Sequence, residues 1–221
     1  EEFDGLFNLL EGADYLNVQR KLNKLMEPLN CDAHWEHPQA TELDAMTVEQ
    51  WLQNNVRTER MRILYRLICF SLFCAEASQM SMLFFLHYVK SGDGFDIILS
   101  ALGDGAQRHL FHGSVHQIAR KIGEELRERL HLSEPVQEIS WNDDGVTVTS
   151  AKGTYQARKA IVAVPATLLN KISFTPDLPM QKAAFHDRMS MGSAIKYWIA
   201  YERPFWRDQG LNGLIFVDDH P

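Results

Sequence analysis

The sequence predicts an α+β protein in which helices flank a mixed sheet. Up to about residue 130, apolar residues recur every three or four positions, which is the period of an amphipathic helix. Beyond that point the period changes to two, and short apolar runs are separated by turn sequences, as in antiparallel strands. Helices and strands are therefore segregated along the chain, which favours the α+β class or two interleaved domains.

Six helices are predicted from this periodicity and from their end signals. The first begins the chain, and its apolar side chains at positions 3, 6, 7 and 10 fall on one face. Thr47 and Gln50 have the spacing of a capping box, which predicts a helix that begins at Val48. Ser114 is the predicted N-cap of a later helix, whose predicted buried face consists of Ile118, Ile122, Leu126 and Leu130. The predicted helices cover residues 1–30, 48–54, 59–74, 78–90, 114–130 and 181–188.

Strand-like runs follow in the second half of the chain. The runs VQEIS, VTVTS and TYQARKAIVAV, joined by NDDG and AKG turns, predict a three-stranded antiparallel meander. Its last part, AIVAVP, is typical of a buried apolar strand that ends at Pro165. The alternation in AIKYWIAY, residues 194–201, predicts another strand with Lys196 and Trp198 on one face. LIFVD, residues 214–218, predicts a final short strand.

The charge balance limits the classes of partner. The 221 residues include 22 basic and 29 acidic side chains, which gives a net charge of −7, and no long Lys/Arg cluster occurs. Nucleic acids and anionic membrane surfaces both require a basic face, so we expect neither as a partner. The most apolar region, from Ile63 to Lys90, is interrupted by polar residues and falls short of the ~20 consecutive apolar residues of a membrane span. We therefore predict no membrane segment in this chain.

The spacing of cysteine and histidine predicts no metal site. Cys31, Cys69 and Cys74 are odd in number and contain no CxxC pair, which favours reduced thiols in a cytosol-like compartment. His34 and His37 are close enough in sequence to share a zinc ion, but no third ligand is evident. A surface loop is therefore the favoured interpretation of this histidine pair.

Several phrases, taken in order, carry a resemblance to a known family. They include MTVEQWL, FCAEASQMSMLFFLHYVKSGDG, GDGAQ, SEPVQEI, IVAVP and FTPDLP, and the most specific is GSAIKYWIAYERPFWR near the end. From about Trp35 onward, the chain resembles the flavin-containing monoamine oxidases. That resemblance implies a substrate domain of mixed sheet with flanking helices, interleaved with a piece of a glutathione-reductase-like FAD-binding domain. It assigns residues 1–110 and 186–221 to the substrate domain and residues 111–185 to the returning piece of the FAD domain.

The resemblance covers the central part of such an enzyme. The family's N-terminal GxGxxG unit, which holds the FAD pyrophosphate at a helix N-terminus, has no match here, and neither has its C-terminal section. We therefore expect the isolated chain to bind FAD poorly and to be inactive. The intact enzyme would oxidise a primary or secondary amine to an imine by hydride transfer to the flavin, with O2 reduced to H2O2.

The resemblance also assigns site residues. Lys196 is the candidate catalytic residue, since the matching lysine of the family holds a water against flavin N5; without the resemblance it would be an ordinary lysine on a sheet face. Val136 would contact the adenine through its backbone, and is otherwise the first core residue of a strand. The other candidate cofactor residues are Gly113, Ser114, Ala163, Val164 and Pro165, which serve equally as a helix cap and a strand end. The candidate substrate-cavity residues are Gln107, Tyr88, Leu72, Ile98 and Leu99, with the gate position open between Ile98 and Leu99.

Other functions remain open on the sequence alone. An L-amino-acid or polyamine oxidase of the same superfamily would share the flavin chemistry. An amino-acid oxidase needs a cation, usually Arg, for the substrate carboxylate, and the resemblance assigns none. A non-catalytic binding or scaffold protein could be built on the same substrate domain. The sequence predicts neither the identity of the amine, nor the flavin linkage, nor the oligomeric state.

Overall fold

The chain divides into two units. In the computed structural model, which describes residues 8–100, 103–211 and 213, unit 1 consists of Glu1–Leu110 with Gly192–Pro221, and unit 2 consists of Phe111–Met191. The α-helices described in unit 1 are α1 (Leu9–Met26), α2 (Ala40–Ala45), α3 (Val48–Asn55), α4 (Glu59–Phe73), α5 (Met82–Ser91) and α6 (Phe95–Leu99). Those of unit 2 are α7 (His116–Leu126) and α8 (Met180–Arg188), and its strands are β1 (Val136–Asn142), β2 (Gly145–Ser150), β3 (Thr154–Ala157) and β4 (Ser173–Thr175). The assignment of chain segments to a substrate domain and a cofactor domain stays a prediction.

The helices predicted in unit 1 are confirmed within the described residues, and their ends follow local chemistry. At the start of α3, Thr47 Oγ1 accepts a hydrogen bond from the Gln50 N–H at 3.1 Å, and Gln50 Oε1 accepts one from the Thr47 N–H at 2.9 Å. This is the predicted capping box. At its C-terminus, α4 ends on Cys74, whose φ of 53° is left-handed. The helices α2 and α6 were not predicted, because their six and five residues are too few for an apolar period to show.

Apolar burial is concentrated in unit 1. Its core is formed by the facing sides of α1, α3, α4 and α5, and its fully buried side chains include Leu22, Leu52, Tyr65 and Phe85. Burial of one large apolar side chain contributes about 1.5–3 kcal/mol, so this core is the main source of stability of unit 1. Among the described residues, Ile139 is the one buried apolar side chain of unit 2.

Two charged side chains cap helices across unit 1. Asp14 of α1 is 4% exposed, and its Oδ2 accepts hydrogen bonds from the N–H groups of Arg57 and Thr58 (2.9 and 2.7 Å) and from the Thr58 hydroxyl (2.9 Å) at the start of α4. At the C-terminal end of α1, Lys90 of α5 donates from Nζ to three carbonyl groups within residues 26–29, at 2.7–3.2 Å. Each charge complements the dipole of the helix end that it faces.

His37 is buried, so the prediction of a surface loop around the histidine pair is wrong at this residue. Its Nε2 lies 3.0 Å from the Leu25 carbonyl, and its Nδ1 accepts the Gln39 N–H at 3.0 Å. Both ring nitrogens are therefore used in hydrogen bonds that hold the connection after α1. Across the described residues, no group of three or more His, Cys, Asp or Glu side chains is placed to hold a metal ion.

The sheet of unit 2 is mixed. Strands β1, β2 and β3 form the predicted antiparallel meander, with Asn142 opposite Gly145 across the first turn. A strand that was not predicted, β4, pairs in parallel with β1 and gives the order β3-β2-β1-β4. Its three residues lie in a loop-rich segment and are too few to show an alternation. Helices together with a mixed sheet confirm the predicted α+β class.

Three predictions of apolar burial or pairing are wrong. Residues 160–165 do not form the predicted buried strand, and Ile161 is 94% exposed. Residues 194–201 form no strand either, and Trp198 is 92% exposed. The predicted buried face of α7, which consists of Ile118, Ile122, Leu126 and Leu130, is exposed as well. A strand needs a hydrogen-bonding neighbour and an apolar face needs a covering layer, and the described residues supply neither for these segments. The predicted strand at 214–218, and positions 3, 6 and 7 of the first predicted helix, lie outside the described residues.

Candidate functional site

Two of the candidate substrate-cavity residues are associated with the C-terminal end of α4, Leu72 by its position in the helix and Tyr88 through its contact with Phe73. Leu72 lies in the last turn of α4, where it is half-buried and packs against the core of unit 1. The next residue, Phe73, contacts the ring of Tyr88 on α5 in a T-shaped arrangement, with 4.6 Å between the ring centroids. Edge-to-face aromatic pairs of this kind add about 0.5–1.5 kcal/mol beyond the area that they bury. The contact holds the Tyr88 ring at the end of α4 while 38% of the residue remains exposed.

The candidate Gln107 is held against the end of α6. Its backbone N–H donates to the Ser100 carbonyl at 3.0 Å, and its side-chain Nε2 donates to the Ile98 carbonyl at 3.3 Å. Gly105 permits this close approach, because a Cβ at that position would stand 2.2 Å from the Ser100 carbonyl oxygen. Of the two gate candidates, Ile98 is buried in the core of unit 1, whereas Leu99 is exposed.

A glycine links the Tyr88 region to the Gln107 region. The N–H of Gly92 donates to the Tyr88 carbonyl at 3.1 Å. A Cβ on Gly92 would stand 2.3 Å from Cγ2 of Ile98, so the Ile98 side chain fills the space that any other residue would need. The contacts therefore run from Tyr88, through Gly92, to Ile98 and Gln107. Unit 1 connects these three candidate cavity residues, and the fourth, Leu72, directly precedes Phe73, which contacts the Tyr88 ring.

The candidate catalytic residue Lys196 lies on an exposed segment without regular secondary structure. The segment is fixed to the end of α4 three residues earlier, where the N–H of Ser193 donates to the Cys74 carbonyl at 3.0 Å. Lys196 therefore does not lie in the predicted strand. Its segment is anchored to the end of α4, the helix whose last turn contains Leu72.

The candidate cofactor residues Gly113 and Ser114 form a sharp turn before α7. Both have left-handed backbones, with φ of 79° and 77°. Ser114 is not the N-cap residue, which is Val115, but its Oγ accepts a hydrogen bond from the His116 N–H at 3.2 Å. The turn lines a hollow of about 370 Å³ together with Arg120 and other residues of the first turns of α7. No atom lies within 4 Å of the place where a Cβ on Gly113 would stand, so its backbone is open on that side.

The entry to β1 is fixed by Glu134, a residue that the sequence did not single out. Val136 is the first residue of β1 and lies opposite Ser150 of β2. Two residues earlier, the Glu134 carboxylate accepts hydrogen bonds from the Ser150 hydroxyl and from the Tyr155 hydroxyl at 2.8 Å. These hydrogen bonds, first that of Ser150, lower the pKa of Glu134. Two hydroxyl groups around one carboxylate therefore help to set where Val136 enters the sheet.

The remaining candidate cofactor residues are less constrained. Ala163, Val164 and Pro165 lie in an exposed segment outside any strand, with Val164 41% exposed.

A larger groove of about 660 Å³ occurs elsewhere in unit 2, along the β1–β2 turn and the end of β3, and none of the predicted site residues lines it. In the described part of the chain, no helix has the length and apolar content needed to cross a membrane.

Sequence reasoning missed the residues that hold these candidates in place. Four of them have no reactive side chain, namely Phe73, Gly92, Gly105 and Gly192. The fifth, Glu134, precedes a proline, as many loop residues do. The glycines gave the one available signal, because a glycine outside a turn often marks a close approach of two backbones. Which backbone approaches which could not be read from the sequence.

Known proteins resemble this chain over nearly its whole length. The sequence model of a family described as flavin containing amine oxidoreductase matches residues 1–220. The chain is 31% identical over 203 residues to a Dictyostelium discoideum protein named probable flavin-containing monoamine oxidase A, a match that covers 91% of this chain and 44% of that protein. It is 34% identical over 231 residues to the L-amino acid dehydrogenase of Synechocystis sp., covering 96% of this chain and 46% of that one.

A solved structure shows the same likeness. Cyclohexylamine oxidase from Brevibacterium oxydans IH-35A superposes with a TM-score of 0.74 and 29% sequence identity, over 81% of this chain and 40% of that one. In each of these comparisons the chain spans less than half the length of the protein that it matches.

Proposed function

The chain belongs to the family of flavin-containing amine oxidoreductases, and on that premise we propose that the protein, in its longest natural form, is an FAD-dependent amine oxidase. It oxidises a primary or secondary amine to an imine and reduces O2 to H2O2. The observation that carries the proposal is that the Lys196 segment is anchored to the end of α4, where Phe73 contacts the ring of Tyr88, which further contacts link to Ile98 and Gln107. We expect the 221 residues alone to be inactive, because they contain no GxGxxG phosphate-binding motif.

The residues of unit 2 fit a flavin nucleotide as one part of its site. Two consecutive left-handed residues, Gly113 and Ser114, turn backbone towards an open hollow, and the glycine has no atom on its free side. A flat ring can approach the backbone of such a turn closely, because glycine has no side chain that would block the ring. Val136 would hold the adenine through its backbone, with its entry to β1 fixed by Glu134. Ala163, Val164 and Pro165 would complete the contacts along the cofactor.

The chemistry divides between the cofactor and the chain. When bound, the flavin supplies hydride acceptance from the carbon next to the amine nitrogen and electron transfer to O2. The amine thereby loses two electrons and two protons, which are the ones that O2 gains in forming H2O2, and water hydrolyses the imine. With the flavin bound, Lys196 would hold a water against the cofactor by a hydrogen bond, and its positive charge would favour the reduction of O2, where negative charge develops.

The cavity residues suit a neutral amine. Gln107 offers an uncharged amide, and Tyr88 offers an aromatic ring with a partly exposed face. The buried Ile98 and the half-buried Leu72 add apolar surface beside them. A mostly apolar pocket with a few polar groups is the usual setting for a small organic ligand.

A second candidate substrate is an L-amino acid, which the likeness to the Synechocystis L-amino acid dehydrogenase favours. An amino-acid substrate needs a cation for its carboxylate. Arg108, beside Gln107, is the nearest in sequence, but its Nη1 donates to the Gly103 carbonyl at 2.6 Å and lies 3.8 Å from Asp104. Arg108 would have to leave these partners to bind a carboxylate, so we place the amine first.

The test is the visible spectrum of the longest natural form, recorded anaerobically before and after addition of monoamines, diamines and L-amino acids. Bleaching of a flavin spectrum by a mono- or diamine supports the proposal and identifies the substrate class. Bleaching by L-amino acids alone supports the second candidate. A protein that stays colourless after incubation with FAD contradicts both and leaves a non-catalytic binding protein. As a matched control, Arg108→Gln should abolish bleaching by L-amino acids but not by amines if Arg108 is the carboxylate partner.

A further inference from the structure

A glycine fixes the segment that carries Lys196 to the end of α4, and we propose that Gly192 is a positioning residue for Lys196. The inference rests on the proposed function, in which Lys196 acts on the oxygen half of the reaction. Gly192 acts through the backbone that it anchors, and the atoms nearest the place of its missing Cβ belong to Phe73 and Cys74. Its role is to let the segment lie directly on the last turn of α4.

The space at Gly192 admits no side chain. A Cβ there would stand 2.7 Å from the Cys74 carbonyl oxygen, 2.8 Å from the Phe73 carbonyl oxygen and 2.9 Å from Cys74 Cβ. Two of these three atoms are backbone oxygens of a helix end, which cannot rotate away as the tip of a long side chain would. The φ of Gly192 lies outside the left-handed region, so contact distance and not backbone conformation requires glycine here.

The end of α4 is suited to receive this segment. The last carbonyl groups of a helix have no partner within the helix, and an unpartnered backbone acceptor is costly when it is shielded from water. The left-handed backbone of Cys74 ends the helix, and its carbonyl accepts the Ser193 N–H at 3.0 Å. Close packing at Gly192 and this hydrogen bond at the next residue together form one docking contact, which we call the α4 dock.

The α4 dock limits where Lys196 can lie. Lys196 is three positions after Ser193, and a fully extended chain spans about 3.3–3.6 Å per residue, so the two Cα atoms are at most about 11 Å apart. The helix end that receives the dock also carries Leu72, and Phe73 of the same turn holds the Tyr88 ring. One contact therefore limits how far the candidate lysine can lie from the helix end that carries Leu72.

A side chain at position 192 should lift the segment from α4 and displace Lys196. Overpacking a tight contact by one methyl group shifts a local equilibrium by roughly 5- to 30-fold towards the open form. Because the proposed role of Lys196 is in the reaction with O2, and the contacts of Gly192 are with the end of α4, the change should act on reoxidation and spare both flavin content and reduction by the amine.

The first experiment tests the α4 dock through the reaction rate of the Cys74 thiol, and it needs no cofactor. Alkylation of the three cysteines in the chain is followed by peptide mass mapping in wild type, Gly192→Ala and Gly12→Ala, a control whose added Cβ meets no atom within 4 Å. We expect Cys74 in Gly192→Ala to react roughly 5- to 30-fold faster, with half-buried Cys31 unchanged and buried Cys69 unreactive. An unchanged rate at Cys74 overturns the dock.

A second variant covers the case in which Gly192→Ala unfolds, which would speed the reaction of all three thiols. Ser193→Pro removes the N–H that donates to the Cys74 carbonyl; it also fixes φ at residue 193 and restricts the backbone of Gly192, and both effects act on the same dock. A faster reaction confined to Cys74 in this variant supports the dock, and an unchanged rate contradicts it.

The second experiment measures the two half-reactions of the longest natural form by stopped flow. Lys196→Met should slow flavin reoxidation by roughly 100-fold, the usual effect of losing one such donor. Gly192→Ala should slow reoxidation as well, and the double variant should be no slower than Lys196→Met. Slower reduction or lost flavin in Gly192→Ala would show a general structural role and overturn the proposal. If the flavin of Lys196→Met reoxidises at the wild-type rate, the proposed function of Lys196 itself is wrong. The thiol assay does not depend on Lys196, so it still tests the α4 dock in that case.

Discussion

Replacement of Asp14 by Ala should destabilise unit 1 by about 2 kcal/mol. The Asp14 carboxylate is buried, and a single oxygen of it accepts three hydrogen bonds from Arg57 and Thr58 at the first turn of α4. Without it, two backbone N–H groups and one hydroxyl at a helix N-terminus lose their acceptor.

The size of this loss of stability depends on whether each hydrogen-bond donor finds a new partner in water. Loss of an N-cap interaction costs about 1 kcal/mol, and each donor left buried without a partner costs about 1–3 kcal/mol. Arg57 is exposed and its N–H can turn to water, whereas Thr58 is half-buried. One cap and one poorly solvated donor give the sum of about 2 kcal/mol. Asp14→Asn keeps an oxygen acceptor and loses only the charge at the helix end, which is worth about 0.3–1 kcal/mol.

Urea unfolding followed by helical circular dichroism measures the difference, since the long helices lie in unit 1. The midpoint of thermal unfolding should fall by about 4–8 °C in Asp14→Ala. Asp44→Ala removes the same charge from an exposed position on α2 and is the control. If Asp14→Ala is within about 0.5 kcal/mol of wild type, the capping account of α4 is refuted.

Three further changes have directional outcomes. Glu49→Gln should cost about 1 kcal/mol at about pH 7, because the Arg66 guanidinium, which donates two hydrogen bonds to it, lowers the pKa of Glu49. This stability is present above the ordinary Glu pKa of 4.5 and is lost as the pH falls below it, so urea unfolding of variant and wild type should converge in acid. Lys90→Met should lower the thermal midpoint more than Lys24→Met does, because only Lys90 donates to three carbonyls. Burial raises the pKa of the Cys69 thiol to about 12, so a thiol reagent should modify the other two cysteines and reach Cys69 only after denaturant is added.

Features encoded within a few residues were predictable from the sequence. The capping box of Thr47 and Gln50 needs only four consecutive residues, and the turns of the meander need no more. Burial is different, because it depends on a second surface. The apolar stripe of α7 and the runs at 160–165 and 194–201 have the right periods, but a period cannot show whether a covering layer is present.

The candidate site also contains both kinds of feature, those predictable from the sequence and those set by packing. Gln107 and Lys196 were identified through the resemblance of whole phrases, which preserves residue identity along the chain. The contacts that hold them, at Gly105 and at Gly192, join positions whose approach distance is set by three-dimensional packing. A glycine in the sequence indicates a close approach by another group, and the three-dimensional structure identifies that group as a carbonyl oxygen at the end of α4 for Gly192 and of α6 for Gly105.

Helix α1 is held at two places by charged side chains, one of its own and one from α5. Its Asp14 side chain accepts hydrogen bonds at the start of α4, and the carbonyl of Met26 at its end accepts one from Lys90 of α5. Opening of α1 would therefore remove a partner from both helices at once. Opening of α4 would leave the Asp14 carboxylate without its donors, and opening of α5 would leave the Met26 carbonyl without its donor. Amide hydrogen exchange should consequently find α1, the first turn of α4 and the last turn of α5 protected to the same degree, as one cooperative unit.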